Sequence, residues 1–133
     1  MPVYQNAEDF YALLRAAFQE MSADPRSLAD FQRRRLAVQI TTTAPAAVLV
    51  IDGRSEPVAF SLGQTAARSD LALTLPADLL HSILLDESSV RTAFTSGQVE
   101  VKGNIFRALQ LADLFHELQR VYPPLYHRWA EGY

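Results

Sequence analysis

The chain has 133 residues, 49% of them hydrophobic and 20% charged, with a formal net charge of -3 and no cysteine. Such a chain fits one domain, residues 1–133, with a single core, and its apolar and charged balance is that of a soluble globular protein. The missing thiol excludes disulfides, thiolate catalysis and thiolate metal centres, and the negative charge argues against a nucleic-acid partner, which needs a positive field.

The opening stretch MPVYQNAEDF carries neither the basic nor the apolar segment of a secretory signal, so a cytoplasmic location is the expectation. Asn6 is a good N-cap, and Glu8 and Asp9 put negative charge in the first turn behind it, where the helix dipole favours it. Phe10, Leu13, Leu14, Ala17, Phe18 and Met21 recur at helical spacing, which predicts an amphipathic helix ending between Ser22 and Pro25. A short helical turn through Leu28 and Phe31 leads to the basic run Arg33–Arg35, read as a solvated approach to a strand.

From there the period changes to two. Leu36, Val38 and Ile40 alternate with Ala37, Gln39 and Thr41, the pattern of a strand with one buried face. AAVLVIDG is apolar on both faces and reads as a covered interior strand. The Asp52-Gly53 turn then returns the chain through Val58, Phe60 and Leu62, closing a hairpin. Leu71, Leu73 and Leu75 make a fourth strand, which Pro76 stops while opening a helix at its first position. In that helix Leu79, Leu80, Ile83 and Leu84 share a face, and Asp78, His81 and Ser82 turn away from it. Val90, Ala93 and Phe94 form the inner side of another short helix, with Gly97 as its left-handed end. Val99 and Val101 face inward on a fifth strand, and Gly103-Asn104 turns into a last helix that Pro123 and Pro124 end. Ile105, Ala108, Leu109, Leu111, Ala112, Phe115, Leu118 and Tyr122 cover about half the girth of that helix, wider than a surface helix needs. An aromatic tail holds Tyr126, Trp129 and Tyr133. The fold class is therefore α+β, a five-stranded, largely antiparallel sheet with helices gathered over one face.

Chemistry is sparse. His81, His116 and His127 form no paired metal-ligand spacing, there is no nucleophile elbow, and Gly97 and Gly103 do not belong to a phosphate loop. A buried acid in an apolar cavity can remove a proton from a carbon acid. Asp70, Asp78 and Asp113 are the carboxylates nearest the apolar elements, but a turn, a helix N-terminus and a polar helix face account for them.

SDLALTLPADLLHSILL, SGQVEVKGNIFRALQLADLF and the hairpin AAVLVIDGRSEPVAF give this chain, over about Leu36 to Leu118, an order of elements that resembles the sterol carrier protein 2 (SCP-2) family of lipid-binding domains. The second carries most, with a glycine, a short alternating strand, a Gly-Asn turn and an apolar helix in fixed order. What the resemblance implies is an apolar tunnel between sheet and helices that holds a fatty acyl chain, sterol or isoprenoid, for carriage or presentation. The ending Glu131-Gly132-Tyr133 is no peroxisomal address, and AAVLVIDG lacks an aromatic residue expected in many members, so the implied ligand is a lipid in general and not sterol in particular.

On that basis the lipid-binding residues are expected to be Phe60, Leu62, Leu73 and Val101 on the sheet and Leu80, Ile83, Leu84, Phe94, Leu109, Leu111 and Phe115 on the helices. Binding needs no catalytic residue, cofactor or metal. The partner is a lipid or other hydrophobic small molecule, with transient membrane contact and a homodimer left open. Two other readings are an interaction module whose apolar face meets another chain or its own copy, and a small enzyme acting on a lipid or steroid. The tail from Tyr122 to Tyr133 either covers the tunnel mouth or packs on the core.

Overall fold

Asn6 begins the first helix as its composition requires, its side chain accepting from the Asp9 N–H at 2.9 Å. The computed structural model describes residues 3–66 and 68–132. Helix α1 (Ala7–Ala23) buries Phe10, Leu13, Leu14, Ala17, Phe18 and Met21, the predicted stripe, and the short α2 (Ala29–Arg34) buries Phe31. Five strands follow the alternation of the sequence: β1 (Ala37–Thr43), β2 (Ala47–Asp52), β3 (Ala59–Leu62), β4 (Leu71–Pro76) and β5 (Glu100–Gly103). Between β4 and β5 lie α3 (Ala77–Leu84) and α4 (Val90–Thr95).

The sheet order is β3-β2-β1-β4-β5. Three of its pairings are antiparallel and one, β1 with β4, is parallel, with Val38 opposite Leu71. The parallel pair arises because the chain leaves edge strand β3 and crosses to the far side of β1 before it pairs again. Gln39 and Val50, opposite one another on β1 and β2, face this crossing, and Gln39 Oε1 accepts the Ala66 N–H at 2.9 Å. Val38, Ile40, Leu49, Ile51, Leu71 and Leu73 belong to the core that the helices cover. Burying each such side chain contributes about 1.5–3 kcal/mol before ordering costs.

Three features depart from the sequence pattern. Pro76 is the last residue of β4 and the N-cap of α3, one position before the helix it was expected to open. His81 turns inward and is buried, because two tyrosine hydroxyls meet its ring there. The last helix does not run evenly from Asn104 to Tyr122. Ile105–Leu111 winds as a 3-10 helix, and α5 (Ala112–Gly132) then continues through Pro123 and Pro124. Local propensity is overruled by packing, since Leu125, Tyr126 and Trp129 beyond the prolines rest against the core and hold the chain helical.

Gly97 and Gly103 have φ of +81 and +106, the left-handed values that the turn positions anticipated. At Gly103 a side chain would also collide with the Asp70 carbonyl oxygen, so only glycine lets β5 turn this closely against β4.

Candidate functional site

The residues after Gly103 build the site. The Asn104 N–H donates to the Asp70 carbonyl at 2.9 Å, and the Asp70 carboxylate accepts the Ala37 N–H at 2.8 Å and pairs with Arg107 at 3.6 Å. Arg107 also donates to the Arg34 carbonyl, while the Arg34 guanidinium pairs with Asp113 at 3.4 Å. These contacts pin Ile105–Leu111 between β4 and α2. The acids Asp70 and Asp113 are engaged here, and Asp78 accepts the Val3 N–H at 3.0 Å.

A 3-10 helix repeats every three residues, so side chains three apart eclipse. Ile105, Ala108 and Leu111 form a row that runs from solvent to core, with Ile105 exposed, Ala108 half-buried and Leu111 buried; Arg107, Gln110 and Asp113 form a polar row, joined by the Arg107 Nε–H bond to Gln110 at 2.9 Å. Phe106, Leu109 and Ala112 form the outward row. Phe106 is 92% exposed, Leu109 80% and Ile105 57%, and these are the exposed large hydrophobics among the described residues. Half a girth of apolar residues therefore becomes two rows with different roles.

Between this segment and α4 lies a groove of about 390 Å³, walled by Val90, Arg91, Phe94 and Thr95 on one side and Ile105, Ala108, Leu109, Leu111, Ala112 and Phe115 on the other. Its volume falls in the roughly 300–1,000 Å³ range of small-molecule sites, and its lining is apolar apart from Arg91 and Thr95. Of the eleven residues expected to touch a lipid, Phe94, Leu109, Leu111 and Phe115 meet here. Leu73, Leu80, Ile83 and Leu84 are packed in the core beneath the helices, and Val101 is half-buried on β5. Phe60 and Leu62 lie on β3, at the opposite edge of the sheet from β5, where Phe60 stacks on Phe18 at 4.1 Å. They border a separate cleft of about 310 Å³ with Arg15, Phe18, Gln19 and Ser22.

Sequence reasoning missed Val90, Arg91 and Thr95 on α4 and Ile105, Ala108 and Ala112 after Gly103 as groove residues; for the last three, a 100° projection does not follow the 3-10 winding. It also missed a buried polar cluster beside α3. His81 Nδ1 lies 2.8 Å from the Tyr122 hydroxyl, which is in turn hydrogen bonded to the Tyr4 hydroxyl. Burial pushes both tyrosines up and His81 down from their ordinary pKa values. The aromatic tail packs by this cluster and on α1: Tyr126 meets His81 edge-on at 4.4 Å, and Trp129 lies beside Ala12, Leu13 and Ala16. Tyr133 lies outside the described residues.

Comparison with known proteins bears on this arrangement in two ways. The model of the SCP-2 sterol transfer family matches residues 10–116, and the chain belongs to that family. In fold it is similar to apo sterol carrier protein 2 from Yarrowia lipolytica, with a TM-score of 0.64 and 14% identity over 86% of this chain and 90% of that one. The sterol carrier protein domain 2 of Helicoverpa armigera superposes with a TM-score of 0.64 at 16% identity, over 84% of this chain and 87% of that one. A structure described as UbiJ-SCP2, a ubiquinone synthesis protein, gives a TM-score of 0.54 at 18% identity, covering 76% and 80%. No curated protein matches the chain in sequence. Among the described residues no helix is long and apolar enough to cross a membrane.

Proposed function

We propose that this chain, acting as one domain over residues 1–133, binds the hydrophobic chain of a lipid in the groove between α4 and Ile105–Phe115 and carries or presents it without chemical change. The observation that carries this reading is the groove itself, an apolar trough with one cation, Arg91, in its wall and no carboxylate in its described lining. Each methylene taken from water contributes about 0.8 kcal/mol before ordering costs, so an acyl or isoprenoid chain supplies the affinity. Arg91 and Thr95 stand where a polar head can be met. Membership in a lipid-binding family supports the same reading, and engagement of Asp70, Asp78 and Asp113 in structural contacts supports binding over proton transfer.

The test pairs identification with a variant. Protein purified without detergent is examined by native mass spectrometry and then denatured, with release of one lipid per chain as the expected result. Leu84 is fully buried, so a charge there would test folding; Leu109 is the better target, being exposed and in the groove wall. Leu109→Asp is expected to keep the fold by circular dichroism and to weaken uptake of a fluorescent sixteen-carbon fatty acid by about tenfold or more. Unchanged uptake by the folded variant would remove the lipid from this groove.

A further inference from the structure

Within the outward row of the 3-10 helix, Leu109 and Ala112 line the groove and Phe106 does not. Phe106 is 92% exposed and does not line the cavity, whereas its neighbours Ile105 and Leu109 do. A large aromatic held almost wholly in water beside the open side of an apolar trough has a specific meaning if something apolar comes to meet it. We propose that the Phe106–Leu109 row docks the protein on the surface of an anionic lipid bilayer, bringing the groove mouth to the layer from which lipid is drawn. This proposal rests on the reading of the groove as a lipid site.

Three observations favour a bilayer over a protein partner. The exposed apolar surface is small: three side chains of this size present on the order of 400 Å², about half of what each partner contributes to a stable protein interface. A bilayer needs no such minimum, because shallow insertion of a few apolar groups combines with charge attraction. The charge is of the right sign: Arg91, Lys102 and Arg107 stand against Glu100 and Asp70, a net charge of +1 at this surface in a chain whose net charge is -3. Lys102 pairs with Glu100 at 3.7 Å and Arg107 with Asp70 at 3.6 Å, while Arg91 is exposed and enters no ion pair among the described residues. The third is continuity: Leu109 belongs both to the exposed row and to the groove wall, so a surface that receives Phe106 lies against the groove's opening.

The experiment is flotation with vesicles of phosphatidylcholine containing roughly a third phosphatidylglycerol, beside vesicles of phosphatidylcholine alone, with the lipid fraction chosen to give an anionic surface. Wild type is expected to float with the anionic vesicles and to be released by high salt. Phe106→Glu is expected to reduce that binding about tenfold, the loss of one inserted aromatic together with an added negative charge, and Phe106→Leu to retain most of it. Uptake of the fluorescent fatty acid from vesicle-free solution is expected to be the same in Phe106→Glu as in wild type. Failure of wild type to float, or equal flotation of wild type and Phe106→Glu, overturns the proposal while leaving the groove reading in place if uptake is normal. A wild-type dimer that Phe106→Glu converts to monomer also overturns it, in favour of a second copy as the partner. Normal flotation without fatty acid uptake would instead overturn the groove reading.

Discussion

His81 joins three parts of the chain that are far apart in sequence, and its proton decides whether they fit. Tyr122 and Tyr4 hydroxyls make a short relay to Nδ1, satisfied when Tyr4 donates to Tyr122 and Tyr122 donates to the ring, which places the imidazole proton on Nε2. Burial lowers the His81 pKa; the carboxylates of Glu87 and Asp78 oppose that shift and His127 adds to it. A histidine kept neutral by the fold binds fewer protons than it does unfolded, so stability is present above the ordinary value near 6.5 and is lost as the pH falls through and below it. Urea midpoints at pH 7.5, 6.5 and 5.5 are expected to fall for wild type. In His81→Asn, whose amide oxygen can still accept from Tyr122, the fall should be much smaller. Parallel loss in both proteins would assign the pH dependence to other groups. None of this was legible in the sequence, where helical spacing puts His81 on one face of α3 with Asp78 and Ser82; its partners come from the amino terminus and α5.

At the scale of elements, the last third of the chain departs most from its pattern. The alternation of β1 and the capping of α1 by Asn6 could be read directly, because each depends on residues a few positions apart. Gly97 and Gly103 were equally readable, since a left-handed turn leaves little choice of residue. The parallel pairing of β1 with β4 and the winding of Ile105–Leu111 were not, because distant neighbours set both. Pro123 and Pro124 are the clearest case. Two prolines predict a stop, yet α5 goes on because Tyr122, Leu125, Tyr126 and Trp129 find the core on either side of them. The tail is thereby placed against α1, away from the described lining of the α4 groove. Trp129→Ala is therefore expected to lower stability by about 1–3 kcal/mol in urea denaturation, as a half-buried aromatic loses its packing, and to leave fatty acid affinity unchanged. A variant of normal stability and altered affinity would make the tail a lid.

Taken as a whole, the molecule concentrates its adaptable surface at one end. Edge strand β3 is closed by Phe60 on Phe18, and the middle of the sheet is filled by Leu73, Leu80, Ile83 and Leu84, which the sequence pattern alone could not distinguish from cavity walls. In the last third of the chain, α4, the 3-10 helix and the start of α5 wall the groove between them. A ligand there bridges two helical segments that otherwise share few contacts, so its binding must stabilise the folded state by mass action. At a free palmitate concentration one hundred times the dissociation constant, the gain is about 2.7 kcal/mol, which for a domain of this size raises the melting temperature by roughly 5–10 °C. The rise should grow with the logarithm of palmitate concentration in wild type, and Leu109→Asp should need about tenfold more palmitate to reach the same shift. Melting followed by circular dichroism across a palmitate series measures both quantities. A wild-type melting temperature indifferent to palmitate, with isoprenoid and sterol ligands equally without effect, would mean that the groove between α4 and Phe115 does not hold a lipid.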